Sequence, residues 1–286
     1  MDFSIYEVGP RDGLQSSDTI TPTYKKVELI ERLAKAGIQN IEVGAMVNPE
    51  KVPNMADSAK VYEQISHLEP FCNLGVLIPN KRGLDRAKEV GASKFNVFFS
   101  PSDEFNIRNL GNTLDLAYPS IKNMLEDENR DNIRAYISCA FGCPFEGMPN
   151  EVKLMNVLKK ADEIANEIVL CDTIGVCHPT RMVQTLELTK RLDSSISLHL
   201  HNRKNGDTNI FSNVKAAVEW GITDFDSSIA GLGGCPFIPN SGSNLSTNQL
   251  IHWADNNGYD TGVDLYDLAE LTDWLTYKNN RMEILI

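Results

Sequence analysis

The stretch Phe3-Ser4-Ile5-Tyr6-Glu7-Val8-Gly9-Pro10-Arg11-Asp12-Gly13-Leu14-Gln15 decides how the chain is read. Residues 3–8 have strand character and run into Gly-Pro, after which a cation, an anion, a glycine and an amide follow closely. A loop that only reverses the chain needs Gly, Pro and a small polar residue. Arg11 beside Asp12 is either an ion pair on a surface turn or the start of a site at a strand terminus. These residues alone leave both open. A second stretch far along the chain, Leu198-His199-Leu200-His201-Asn202, tips the balance, because its histidines can complete a metal site with Asp12.

Working outward, further short apolar runs recur at 40–43, 72–77, 94–98, 133–139, 167–171, 197–201 and 223–226. Between the strands lie stretches with helical character at 24–36, 58–67, 82–90, 104–126, 151–165, 180–192 and 210–220. Glycine follows Ala36, Val90 and Trp220, as suits a helix C-terminus. Strands alternating with helices predict a parallel sheet with right-handed crossovers. Eight of them is the number that closes into a (β/α)8 TIM barrel, of roughly 250 residues. A doubly wound open sheet is the alternative. It carries a Gly-rich phosphate turn after its first strand, and residues 9–13 lack that spacing. The 286 residues therefore read as one α/β barrel domain, 1–286. Stretches 244–257 and 264–274 predict two more helices, so that about 245–286 pack on the barrel as a C-terminal addition.

A net charge of -12 and the absence of a basic cluster beyond Lys25-Lys26, Lys159-Lys160 and Arg203-Lys204 argue against a nucleic-acid partner. With 42% apolar residues and no apolar run of about 18, nothing predicts a membrane span. The first strand starts at once, leaving no room for a signal or transit peptide. Cysteines at 72, 139, 143, 171, 177 and 235 then read as reduced thiols of a cytoplasmic protein. Cys139 and Cys143 lack the neighbours of a zinc knuckle.

Active sites of closed barrels sit at the C-terminal ends of the strands. Those ends supply Arg11, Asp12 and Gln15, then Glu42, Ser138-Cys139-Ala140, Asp172-Thr173-Ile174-Gly175, His199 and His201, and finally Gly231-Leu232-Gly233-Gly234-Cys235-Pro236. Recurrence of such residues at one rim is harder to explain by chance than any one of them. A single inward histidine is most often a hydrogen-bonded core residue. His199 and His201, two apart on a strand, share a face. With a carboxylate from Asp12 they suit a divalent ion with positions left open for substrate. Such donors accept Mg²⁺, Mn²⁺, Co²⁺ or Zn²⁺. The glycine-dense segment 231–244 is either a plain flexible loop or one that folds over a ligand, carrying the Cys235 thiol as acid or base. Glu42 and Asp172 are either ion partners of Arg11 and helix N-termini or groups that orient Arg11 and move protons.

At this point the residues resemble a family. Val8 to Gln15 resembles the opening signature of 3-hydroxy-3-methylglutaryl-CoA (HMG-CoA) lyases, within the wider DRE-TIM metallolyase group. Similar in order are Ile41-Glu42-Val43 with Val52-Pro53-Asn54-Met55-Ala56-Asp57, then Cys139-Ala140-Phe141-Gly142-Cys143-Pro144-Phe145-Glu146-Gly147. Asp172-Thr173-Ile174-Gly175-Val176 and Asp226-Ser227-Ser228-Ile229-Ala230-Gly231-Leu232-Gly233-Gly234-Cys235-Pro236 complete the set, so the resemblance covers nearly the whole chain. It implies metal-dependent cleavage of HMG-CoA to acetyl-CoA and acetoacetate. The ion, Mg²⁺ or Mn²⁺ before Co²⁺ or Zn²⁺, would be held by Asp12, His199, His201 and Asn244. Arg11 would neutralise the enolate oxygen, Cys235 would move a proton, and Glu42 and Asp172 would belong to the catalytic shell. Arg11 and Gln15 would contact an acyl-CoA substrate, and the protein would be a homodimer. Relatives usually carry Asp-Thr after the second metal histidine, an acidic pair beyond the metal asparagine, and Asn-Glu after the glutamine of the opening signature. Here stand Asn202-Arg203, Asn248-Gln249 and Ser16-Ser17. These departures keep open a related lyase for another hydroxyacyl-CoA or hydroxy-oxo acid, or a homologue that binds metal and CoA without turnover.

Overall fold

The computed structural model of the chain describes residues 2–202, 210–234 and 242–276. Eight parallel strands close into a barrel in sequence order. They are β1 (Ser4–Glu7), β2 (Asn40–Ala45), β3 (Asn73–Leu77), β4 (Lys94–Phe99), β5 (Ile133–Ile137), β6 (Glu167–Asp172), β7 (Ser195–Leu200) and β8 (Asp224–Ser227). β8 pairs with β1, setting Tyr6 beside Asp226, so no edge strand is left open. The fold is thus the expected (β/α)8 barrel with helices added at the C-terminal end.

The helices around it are α1 (Thr23–Lys35), α2 (Ser58–Ile65), α3 (Lys81–Glu89), α4 (Asp103–Leu110), α5 (Leu114–Met124), α6 (Glu151–Ile164), α7 (Pro179–Thr189) and α8 (Ile210–Trp220). Each buries one stripe against the strands. On α1 the buried positions are Lys26, Leu29, Ile30 and Leu33, the spacing of one helical face. Each of the apolar ones contributes roughly 1.5–3 kcal/mol by leaving water. β5 is buried along its whole length, as a strand covered on both faces must be.

Several boundaries differ from the sequence reading. The single helix expected over 104–126 is two, α4 and α5. Gly111 adopts φ +80° at the end of α4, where its N–H bonds the Ile107 carbonyl, and this left-handed residue ends the helix. The strand expected over 133–139 stops at Ile137, because Cys139 turns to φ +61°. The helix expected from 244 starts only at Thr247. Asn244 instead lies in an extended segment that bridges His201.

The last helices, α9 (Thr247–Asn256) and α10 (Leu265–Thr276), pack on the barrel's flank and base. The α10 residue Trp274 receives Arg32 of α1 over its ring at 4.9 Å. At the base, Phe3 stacks on Phe225 at 5.2 Å and meets Trp253 and Tyr259. The barrel interior departs from the branched aliphatic filling usual for this architecture. Below the upper cavity, which Tyr136 borders, it holds Tyr6, Asn96, Arg134, Tyr136 and Asp226, joined by hydrogen bonds and by Arg134 lying over the Tyr6 ring.

Candidate metal centre and pocket

The turn after β1 is one wide helical turn, Gly9–Gly13. The N–H groups of Arg11, Asp12 and Gly13 all converge on the Val8 carbonyl. This compact turn lifts Arg11 and Asp12 to the top of the barrel. It is fixed from below by Glu7, fully buried, whose carboxylate accepts the N–H groups of Gly9 (2.8 Å) and Ile229 (2.9 Å) and the Thr247 hydroxyl (2.5 Å). Burial lifts the Glu7 carboxyl to about 7, against the pull of those three bonds.

Asp12, His199 and His201 each offer a ligand atom, and these atoms lie within 4.8 Å of one another. Asp12 is drawn down to about 2: burial opposes ionisation, but Arg11 and the two histidines outweigh it. His199 Nδ1 faces the Asp226 carboxylate at 3.0 Å, and His201 Nδ1 faces the Asp172 backbone carbonyl at 3.1 Å. Each acceptor takes the Nδ1 proton of a neutral ring and leaves Nε2 free to ligate. Burial and the neighbouring His199 push His201 down to about 4, keeping it neutral.

Asn244 is brought here by its backbone bridge to His201. Its Nδ2 donates to Asp12 Oδ2 (2.9 Å) and the Leu232 carbonyl (2.8 Å), which fixes the amide's orientation. Its Oδ1 is then buried without a hydrogen-bond partner among the described residues. An orphaned acceptor costs about 1–3 kcal/mol, and here it sits on the residue that bonds Asp12. A hard divalent cation would satisfy it, so the donor set fits an ion. Gly233 makes the approach possible: at φ +89°, any Cβ would come 2.8 Å from the Gly13 Cα.

Arg11 is nearly buried. Its Nε donates to Glu42 (2.5 Å) and its Nη1 to Asp12 (2.6 Å). Glu42, fully buried, also accepts from Asn96 at 2.8 Å. Its carboxylate is engaged below Arg11 and does not line the pocket above. Asp172 is likewise turned away, its two oxygens accepting the Val176 and Cys177 N–H groups at 2.9 and 3.0 Å. Burial raises it to about 6. Cys235 and Arg203 lie outside the described residues.

Above the ligand atoms opens a cavity of about 410 Å³, lined by Arg11, Asp12, Gln15, His199 and His201 together with apolar Val52, Leu77, Phe98 and Phe105. The Gln15 amide oxygen in that lining is buried with no hydrogen-bond partner among the described residues. Lys51 and Tyr136, which the sequence reading missed, also face it, as does Thr173 from the end of the sixth strand. Thr173 Oγ1 accepts the Cys139 N–H at 2.7 Å and so holds the left-handed turn ending β5. Among the departures from the usual family pattern, Asn202 and Asn248 serve the loops. Asn202 donates to Ser243 at 3.3 Å. Asn248 accepts the Ala230 N–H at 3.1 Å and donates to Thr272 at 2.7 Å.

A parallel (β/α)8 barrel whose first turn, seventh strand and late loop converge on such a donor set defines a class of candidate metal-dependent barrel enzymes. Residues 2–275 match the HMGL-like family, and the chain belongs to it. The mitochondrial hydroxymethylglutaryl-CoA lyase of Rattus norvegicus is 36% identical over 282 residues, 97% of this chain and 86% of the rat protein. The HMG-CoA lyase of Bacillus subtilis superposes with a TM-score of 0.90 at 31% identity, covering 98% of this chain and 94% of that one. The Acinetobacter baumannii HMG-CoA lyase, solved with coenzyme A and 3-methylmalate, gives 0.89 at 31% identity, over 96% of this chain and 90% of its own. The family and the carbon–carbon lyase class expected from the sequence agree with these comparisons.

Proposed function

We propose that the protein cleaves HMG-CoA to acetyl-CoA and acetoacetate, using a divalent ion held by Asp12, His199, His201 and Asn244. The observation that carries this reading is the partnerless Asn244 Oδ1 on the residue that bonds Asp12, beside two Nε2 atoms left free by their acceptors. When bound, the ion supplies positive charge that orients the substrate's oxygens and acidifies its tertiary hydroxyl.

The chain's own groups do the rest. Loss of the hydroxyl proton to solvent water lets the carbonyl form at that carbon as the adjacent carbon–carbon bond breaks. The electron pair passes to the thioester as an enolate, and protonation of the enolate carbon yields acetyl-CoA. Arg11 faces the cavity with its guanidinium already fixed by Glu42 and Asp12. It meets the charge that develops on the enolate oxygen without first having to reorganise. Glu42, with Asn96 behind it, acts by holding Arg11. Asp172 holds the loop after β6 through its carboxylate and His201 through its carbonyl. Gln15 offers an amide oxygen to the substrate, and Cys235 is assigned the proton for the enolate carbon.

A second reading, another hydroxyacyl-CoA as substrate, is favoured by Asn248, which stands where relatives usually carry an acid and which here joins the Ala230 N–H to Thr272. The experiment that separates the two is acetyl-CoA release from a panel of hydroxyacyl-CoA thioesters, with Mg²⁺ or Mn²⁺ supplied. Preference for the methylglutaryl thioester supports the first; preference for another member supports the second; no metal-dependent release overturns both. The proposal extends to a cytoplasmic homodimer, on the family resemblance, and sedimentation tests the assembly. Among the described residues no helix is long and apolar enough to cross a membrane.

A further inference from the structure

We propose that Asp226, itself held by Arg134, is a positioning residue that decides which nitrogen of His199 is left free for the ion. The inference rests on the metal-dependent reading above, in which His199 is a ligand.

The register of β7 on β8 sets His199 beside Asp226. Asp226 is 1% exposed, so water does not compete for its oxygens. The two oxygens have separate duties: Oδ1 accepts Arg134 Nη2 at 2.6 Å, and Oδ2 faces His199 Nδ1 at 3.0 Å. Arg134 has no freedom to turn away. Its Nη1 donates to the Tyr136 hydroxyl at 2.7 Å and its guanidinium lies over the Tyr6 ring at 4.0 Å, while its Nε is 2.9 Å from Glu167 as an ion pair without hydrogen-bond alignment. One carboxylate oxygen is therefore committed, and the other can only accept. A neutral His199 must put its proton on Nδ1 and its lone pair on Nε2.

His201 reaches the same tautomer by another route. Its Nδ1 partner is the backbone carbonyl of Asp172, which no side-chain substitution converts into a donor. The two ligand rings are thus fixed independently, and His201 is an internal control for His199.

Asp226→Asn exposes the difference. Arg134 presents only N–H donors, so it draws the new amide's oxygen to itself and turns the NH₂ group toward His199 Nδ1. That ring must then accept at Nδ1, carry its proton on Nε2, and present N–H where the ion needs a lone pair. The test is ¹⁵N imidazole NMR of the metal-free full-length protein at a pH where both rings are neutral, paired with Mn²⁺ titration. In the wild type both rings carry the proton on Nδ1. In Asp226→Asn only His199 changes, and Mn²⁺ affinity falls by about 10–100-fold, the usual consequence of losing an outer-shell carboxylate. Adding Arg134→Met frees the amide to rotate and restores part of the affinity. Wild-type His199 protonated on Nε2, or Asp226→Asn binding Mn²⁺ as tightly as wild type, overturns the proposal. Should Asp226→Asn not fold, the wild-type spectrum alone still decides. A wild type that binds no Mn²⁺ removes the metal reading, while the tautomer result stands apart from it.

Discussion

Arg11 is where chemistry and structure meet at the scale of one residue. Its guanidinium is held by two carboxylates and faces the cavity. Arg11→Met is expected to lower turnover by at least about 10²–10³-fold, the loss typical of removing a pre-aimed charge stabiliser, while bound metal per chain stays unchanged. Near-normal turnover of the metal-loaded variant in the acetyl-CoA assay removes that role. Glu7 makes a different prediction. Its carboxyl titrates at about 7 in the folded chain against an ordinary 4.5. The folded state thus binds this proton more tightly than the unfolded one. The cost of holding the charge buried is absent below about 4.5, grows as pH rises, and is complete above about 7. Glu7→Gln removes this titration, so its stability relative to wild type should improve by up to about 3 kcal/mol between pH 4 and pH 8. Urea midpoints at the two pH values measure it, and a constant difference contradicts it. Arg11, Asp12 and the two histidines were legible in the sequence because strand ends and alternate positions assign them to one rim. Asp226 was quoted there only as part of a motif. Its part depends on strand register and on a partner, Arg134, 92 residues away.

Among elements, the turn of β1 and the loop after β8 matter most, because they touch through bare backbone. Gly233 lies against Gly13 and the Asp12 carbonyl with no room for a side chain. Gly233→Ala should push the loop, and Asn244 with it, off Asp12. The expected outcome is Mn²⁺ binding weakened by about tenfold or more, as for other disturbances behind a ligand, with unchanged far-UV circular dichroism. Wild-type affinity in this variant contradicts the packing argument. Reading the sequence failed at this scale in an instructive place. Apolar spacing runs through 104–126 almost without a break, so periodicity predicts one helix. A single left-handed residue, Gly111, divides it. Asn244 was placed in a helix for a similar reason, since 244–257 is apolar enough. Its pairing with His201 is a tertiary contact that local pattern does not contain.

For the whole molecule, alternation of strand and helix gave the strand number, and the number gave closure. What alternation does not carry is the polar filling of the barrel. Arg134 is buried with Asp226, Glu167 and Tyr136 as its partners. Breaking a buried pair strands the remaining charge, so Arg134→Met alone should destabilise the barrel by about 3–5 kcal/mol. Urea unfolding of the metal-free protein reads this, and a loss under about 1 kcal/mol, the value of an exposed pair, would show that the network is solvated. The same polar interior ties the candidate metal site to the barrel's base, since Arg134 reaches His199 through Asp226. An ion that binds only the folded chain should stabilise it by about 3 kcal/mol at a hundred times its dissociation constant.

The most direct measurement is electron spin-echo spectroscopy of the protein loaded with one Mn²⁺ per chain. Two imidazole nitrogens coupled to the ion are predicted, falling to one in His201→Ala. An ion with no nitrogen coupling would place the metal elsewhere and contradict the site.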